Sequence, residues 1–152
     1  MMSSFAESYK ESTDAFLALA RSLSEAELDV ADIEGWTPRQ VIHHVADSEA
    51  QSYARLRRLV AEPGSSIQGY DEAKWAENQD LGYKVLEVSH SIAVIAAVRE
   101  SSYLLLKRLT AETLNNAGLH TESGSYTVKN WIEIYTRHPL EHANQIKAQL
   151  NR

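Results

Sequence analysis

The sequence predicts an all-α protein, a four-helix bundle, and three observations carry that expectation. Four segments repeat apolar residues every three or four positions, and strong caps and breakers bound most of them. No stretch alternates long enough to make a strand of useful length, so no sheet of three or more strands is expected. The 152 residues, 43% hydrophobic and 24% charged, suit one globular domain over residues 1–152. A chain of this length buries about two thirds of its unfolded surface, so the fold does not need a metal.

The first helix is expected from about Ser4 to Ser22, with Phe5, Tyr9, Phe16, Leu19 and Leu23 on one stripe. The second opens at Thr37-Pro38-Arg39-Gln40, where Thr37 caps, Pro38 suits the first helical position and Gln40 completes a capping box. It stops near Ala61, at the breaker Glu62-Pro63-Gly64-Ser65-Ser66. One short helix, capped by Asp71 and carrying Trp75, falls within the longest connection, from Ala61 to Lys84. The third long helix spans roughly Lys84 to Leu109, with Val85, Val88, Ile92, Ile95, Leu106 and Leu109 as its buried stripe. Thr110 then caps a short helical turn, and Gly118 to Tyr126 reads as an irregular or hairpin-like loop. Thr127 caps the fourth helix, which runs to the end with Asn130 at the capping-box position. Short joins give antiparallel neighbours and a long one permits parallel neighbours, so the expected order is up-down-down-up with the crossover between helices 2 and 3.

Charge and composition exclude several functions. A net charge of -6 disfavours nucleic acid as a partner, because that affinity comes largely from neutralising phosphates. The basic cluster Arg55, Arg57 and Arg58, interleaved with Leu56 and Leu59, reads as the wet side of a helix. The absence of cysteine excludes disulfides, thiolate ligands and a protein thiol nucleophile, so any thiol must arrive as a substrate. The longest apolar run, around Ile92 to Val98, is too short to cross a membrane. The start MMSSFAESYK lacks the basic and apolar regions of a secretory signal, which makes a cytoplasmic location the expectation.

The chemistry concentrates in histidines. His138 and His142 lie four residues apart on the stripe of Val128, Trp131, Tyr135 and Ile146, so both rings reach one point on the inner face. His44 occupies the inner face of the second helix, and three neutral imidazoles with an open position make a zinc-type catalytic site. The same three residues also read as buried, hydrogen-bonded core histidines. His43, turned about 100° from His44, reads as a surface residue or as a donor behind a ligand. His90 and His120 read as structural or solvent-exposed. Ser48, one turn beyond His44, either lines the site or bonds its own backbone. Glu49 is a candidate base, but it stands about 140° around the helix from His44 and is expected in solvent. Trp36 is expected to anchor the second helix in the core, while Tyr70 and Trp75 either cover the site or pack on the bundle end. No nucleophile-elbow, phosphate-loop, dinucleotide or zinc-finger pattern competes.

Gly35 to Glu49, read as Gly-Trp-Thr-Pro-Arg-Gln-Val-Ile-His-His-Val-Ala-Asp-Ser-Glu, resembles the helix-opening motif of the DinB-like (YfiT-like) superfamily of metal-dependent hydrolases and thiol S-transferases. Gln68 to Ala76 resembles that family's segment after the second helix, and Tyr126 to Ile146 resembles its closing helix with a His-x-x-x-His ligand pair. The resemblance covers most of the chain. It implies a four-helix bundle, often a homodimer, with nickel or zinc held by three histidines. Carried over, the ligands fall on His44, eight residues after the motif tryptophan, and on His138 and His142. Two departures stand out: Glu141 replaces a histidine that many relatives have, and Pro139 lies between two ligands. Proline inside a helix costs ~3 kcal/mol unless the helix kinks, so a kink that turns His138 is the expectation to be met.

The implied function is that of a metal-dependent enzyme acting on a small molecule, as a hydrolase or as a low-molecular-weight thiol S-transferase. A non-catalytic metal- or ligand-binding module and a structural dimer are the alternatives. Imidazole also suits copper and iron. For the implied homodimer, Ile95, Val98 and Leu105 are the expected self-complementary face.

Overall fold

The computed structural model describes residues 2–31 and 35–152. In chain order the elements are α1 (Met2–Ser22), α2 (Glu25–Leu28), α3 (Pro38–Ala61), β1 (Ser66–Ile67), α4 (Glu72–Glu77), α5 (Ser89–Leu106), β2 (Ala117–His120), β3 (Gly124–Thr127) and α6 (Val128–Gln149). The caps work as their chemistry dictates. Thr37 Oγ1 accepts from the Gln40 N–H at 3.3 Å, and Gln40 Oε1 accepts from the Thr37 N–H at 3.0 Å. Asn130 completes the same box for α6, its Oδ1 accepting from the Thr127 N–H at 3.0 Å. Asp71 caps α4 by accepting from the Lys74 N–H at 3.0 Å.

The long helices α1, α3, α5 and α6 form the bundle. Arg99 of α5 meets Tyr9, Ser12 and Thr13 of α1 while Tyr103 meets Glu7, so α1 and α5 run antiparallel. His43 meets Ser91 and Arg57 meets Ser101, so α3 and α5 run parallel, as the long connection over residues 62–88 permits. Trp131 Nε1–H donates to the Ser52 carbonyl and Gln149 to the Trp36 carbonyl, which makes α6 antiparallel to α3. Tyr9 packs on Trp131 while Phe16 and Leu19 share a cluster with Ala143 and Ile146, so α1 and α6 run parallel. The order is up-down-down-up. None of the described helices is long and apolar enough to cross a membrane.

The core divides in two. One cluster gathers Phe16, Leu19, Val41, Ile42, Val45, Ile95 and Ile146, and the other gathers Tyr9, Leu56, Leu59, Leu106, Trp131 and Tyr135. Buried polar residues of α1, α3 and α5, Ser12, Thr13, Glu49, Ser52, Arg99 and Ser102, share that interior.

The structure corrects three expectations. Helix α5 begins at Ser89 rather than Lys84: Asn78 caps a short 3-10 turn, Gly82 ends it with a φ of 67°, and the chain turns again before Val88. Val85 and Val88 extend the three-to-four repeat of α5 without being helical, and Val85 is 78% exposed rather than buried. Ile95 lies in the core with no exposed surface and so cannot belong to a dimer face. Finally, a three-stranded sheet is present, although one was not expected: β1 pairs parallel with β2, and β2 antiparallel with β3. Its strands are two to four residues long, too short to leave a period in the sequence. A Cβ at Gly118 would lie 2.7 Å from the Ser65 carbonyl oxygen, so that position needs glycine for β1 to approach. The sheet ties the crossover to the hairpin before α6 and leaves the helical fold class unchanged.

The cap on α3 sets where the His44 helix begins. Thr37→Ala should cost about 1 kcal/mol, read as a lower urea midpoint at unchanged m value. A midpoint equal to that of the parent protein would contradict the role given to the box.

Candidate metal centre

His44 projects from α3 into the bundle and is 1% exposed, with its ring centroid 5.1 Å from that of Trp36. His138 and His142 project from consecutive turns of α6. Their Nε2 atoms converge: His44 to His138 is 3.2 Å, His138 to His142 is 3.1 Å, and the three donor atoms lie within 4.8 Å of one another. Nitrogens bound at about 2.0–2.1 Å to one cation at angles of about 90–110° stand about 2.8–3.4 Å apart. Both short edges fall inside that interval.

The protonation chemistry fits a cation as well. Gln145 Oε1 lies 2.9 Å from His142 Nδ1, and a carbonyl oxygen only accepts, so Nδ1 carries the proton and the Nε2 lone pair points at the cluster. Burial holds His44 down to about 3, with His142 adding to the shift, and holds His138 at about 2 for the same first reason. Burial also lowers His142. All three imidazoles are therefore neutral at pH 7, as metal ligands must be. Protons alone serve the cluster poorly, because His44 Nδ1 and His138 Nδ1 are buried without a partner among the described residues.

Pro139 does not turn His138 away. Helix α6 continues unbroken through the proline, and the His138 Nε2 lies between those of the other two rings. Glu72, at the start of α4, is a site residue that the sequence reading missed. Its Oε2 stands 3.9 Å from His44 Nε2, and half-burial raises its pKa while Arg55 opposes the shift. Only its place two residues after Tyr70 in the family-like segment could have marked it. Tyr70 and Trp75 pack together at 4.6 Å where α4 comes over α3. Ser48 is buried beside the Tyr70 and Tyr135 hydroxyls.

Several expectations are corrected. Glu49 is fully buried, not in solvent, and pairs with Arg99 at 2.5 Å while its other oxygen accepts from the Ser52 hydroxyl at 2.8 Å. It faces α5 rather than the histidines. His43 is buried, not on the surface: its Nε2–H donates to the Leu86 carbonyl at 3.1 Å, leaving Nδ1 to accept from the Ser91 hydroxyl at 2.7 Å. Arg55 is no wet-face residue either, since it donates to the Tyr135 hydroxyl and the Gln68 carbonyl at 3.0 and 2.7 Å. His90 is exposed, and His120 is half-buried in the hairpin, where its Nδ1 accepts from the Glu122 N–H at 3.2 Å.

Known proteins resemble this chain along most of its length. The sequence profile of the DinB superfamily matches residues 8–146. A protein of Oceanobacillus iheyensis, provisionally named a metal-dependent hydrolase, is 36% identical over 118 residues, covering 78% of this chain and 67% of its own. A Bacillus cereus protein with the same provisional name is 33% identical over 135 residues, covering 86% and 76%. Among solved structures, YfiT from Bacillus subtilis, described as "a probable metal-dependent hydrolase with an unusual four-helix bundle topology", matches with a TM-score of 0.84 at 25% identity over 99% of this chain and 87% of that one. TT2238, described as a four-helix bundle protein, shares the fold with a TM-score of 0.66 at 20% identity over 97% and 99%.

The neutral histidines have a signature in the metal-free protein. Unfolded histidines take up protons near pH 6.5 and the folded His44 near 3, so between these values the unfolded state binds more protons and stability falls as the pH falls. Urea midpoints should drop from pH 7 to pH 5, and His44→Ala should flatten the drop. Equal slopes in the two proteins would contradict the burial cost.

Proposed function

The chain belongs to the DinB superfamily, and we propose that it is an enzyme acting on a small molecule with one divalent ion held by His44, His138 and His142. The convergence of three neutral imidazoles, with the His138 Nε2 at coordination spacing from those of His44 and His142, carries this reading. Nickel and zinc are the ions proposed, since three imidazoles with open positions suit either. When bound, such an ion acts as a Lewis acid and lowers the pKa of whatever occupies its open position.

The residues around the histidines have distinct tasks. Gln145 fixes the His142 tautomer, and Trp36 walls the His44 ring against water. The apolar stripes of α3 and α6 present the rings at fixed spacing before any ion arrives. Glu72 Oε2, at the cluster's edge, is positioned to take a proton from an acidic group on the substrate. Desolvation raises its pKa above the usual carboxylate value, and Arg55 opposes the shift.

Hydrolysis is the favoured reaction, in line with the provisional names of the relatives. Transfer of a low-molecular-weight thiol uses the same parts, with the thiol supplied by the substrate because the chain has no cysteine. A cytoplasmic homodimer is the proposed form. With Ile95 in the core, its apolar face shifts to Val94 and Leu104 of α5, 41% and 53% exposed, with Val98 and Leu105 at the edge.

Metal analysis of protein loaded with nickel or zinc should find one ion per chain, and His44→Ala, His138→Ala and His142→Ala should each abolish stoichiometric binding with unchanged helical circular dichroism. Parent protein that binds neither ion contradicts the proposal. In a screen of esters, amides and electrophile–thiol pairs, Glu72→Gln should keep the metal and lose about 100-fold or more in turnover. Metal binding without turnover on any substrate class would favour the non-catalytic module.

A further inference from the structure

Within α6 the carbonyl of Tyr135 should accept from the N–H of residue 139, and that residue is Pro139, which has none. Tyr135 is 3% exposed, so water does not serve the orphaned oxygen. Its donor comes from another helix: Arg99 Nη1 lies 3.0 Å away. We propose that Arg99 is a positioning residue for the metal cluster, standing in for the N–H that Pro139 lacks and so fixing the turn of α6 that carries His138. The proposal rests on the metal reading of the three histidines.

The geometry leaves Arg99 no freedom. Its guanidinium is fully buried, and all five N–H donors are used. Nε donates to Thr13 Oγ1 at 2.6 Å; Nη1 to Glu49 Oε1 at 2.5 Å and to the Tyr135 carbonyl; Nη2 to the Tyr9 carbonyl at 3.2 Å and Ser12 Oγ at 2.9 Å. The planar fork, resting 3.8 Å from the Tyr9 ring centroid, therefore holds its acceptors in one plane. Two of them index the cluster. Glu49 lies five positions beyond His44 on α3, and Tyr135 lies three positions before His138 on α6. One rigid group thus sets the turn of one ligand against the helix of another. A pair of apolar side chains could fill this volume at little or no cost in stability, so the ion pair is not explained by stability alone. The donor it brings to the Tyr135 carbonyl is what an apolar pair would lack.

Zinc affinity, measured by competition with a chromogenic chelator, tests this in four proteins: the parent, E49M/R99M, P139A and E49M/R99M/P139A. The double variant removes both buried charges together and should fold, with its helical circular dichroism retained and its zinc affinity down about 10–100-fold, the usual cost of losing a group that orients a ligand. The P139A substitution returns an N–H to the Tyr135 carbonyl, so the triple variant should bind zinc within about threefold of P139A. Such a rescue is not expected of a residue that serves only stability. If E49M/R99M does not fold, R99K is read in its place: it keeps a charge opposite Glu49, cannot reach five acceptors, and should lose about tenfold. A double variant, or R99K in its place, that binds zinc as the parent does overturns the assignment, as does a triple variant no better than the double. A parent protein that binds no zinc overturns the metal reading, and this proposal with it.

Discussion

The buried pair of Glu49 and Arg99 is the constraint on which the rest of this bundle depends. Arg99 enters from α5 and touches α1 through Tyr9, Ser12 and Thr13, α3 through Glu49, and α6 through Tyr135. No other described side chain is shown bonding to three of the other long helices. Both partners are essentially without exposed surface, so losing either one alone would strand a charge at a cost of about 3–5 kcal/mol. Apolar contacts hold the helices together but carry little direction. Five directional bonds at one crossing set their register.

The histidines benefit from that register and add a cost of their own. Three neutral rings held close together forgo solvation, and two of their Nδ1 atoms stay without partners among the described residues. A fold selected for stability alone would fill the space with leucine. Keeping polar groups with converging lone pairs there is the pattern expected where local instability serves binding. Glu72, arriving on a short helix from the crossover, adds a carboxylate only at the edge, where half its surface still meets water.

Much of this was legible in the sequence, and the failures share a cause. Thr37, Asp71 and Thr127 marked helix starts because capping is local chemistry, readable within four residues. His44, His138 and His142 were legible because helical spacing and an inner stripe fix where a side chain points. What stayed hidden depends on distant partners. Nothing near Glu49 announces Arg99, fifty residues on, so a carboxylate off the inner stripe read as solvated. Nothing near Pro139 announces a donor from α5, so the proline read as a threat to His138. The small sheet joins segments more than fifty residues apart through backbone atoms that leave no trace in side-chain pattern. Val85 misled for the opposite reason, keeping the helical period while the backbone around Gly82 had already left the helix.

The central claim is that one divalent ion sits among these three imidazoles, and a crystal grown with zinc, with anomalous data collected on both sides of the zinc absorption edge, tests it most directly. One strong anomalous peak is expected about 2.0–2.1 Å from the Nε2 atoms of His44, His138 and His142, with the backbone of α6 unmoved around Pro139. Zinc found elsewhere, or bound by His44 and His142 with the His138 ring turned out of the cluster, would contradict it.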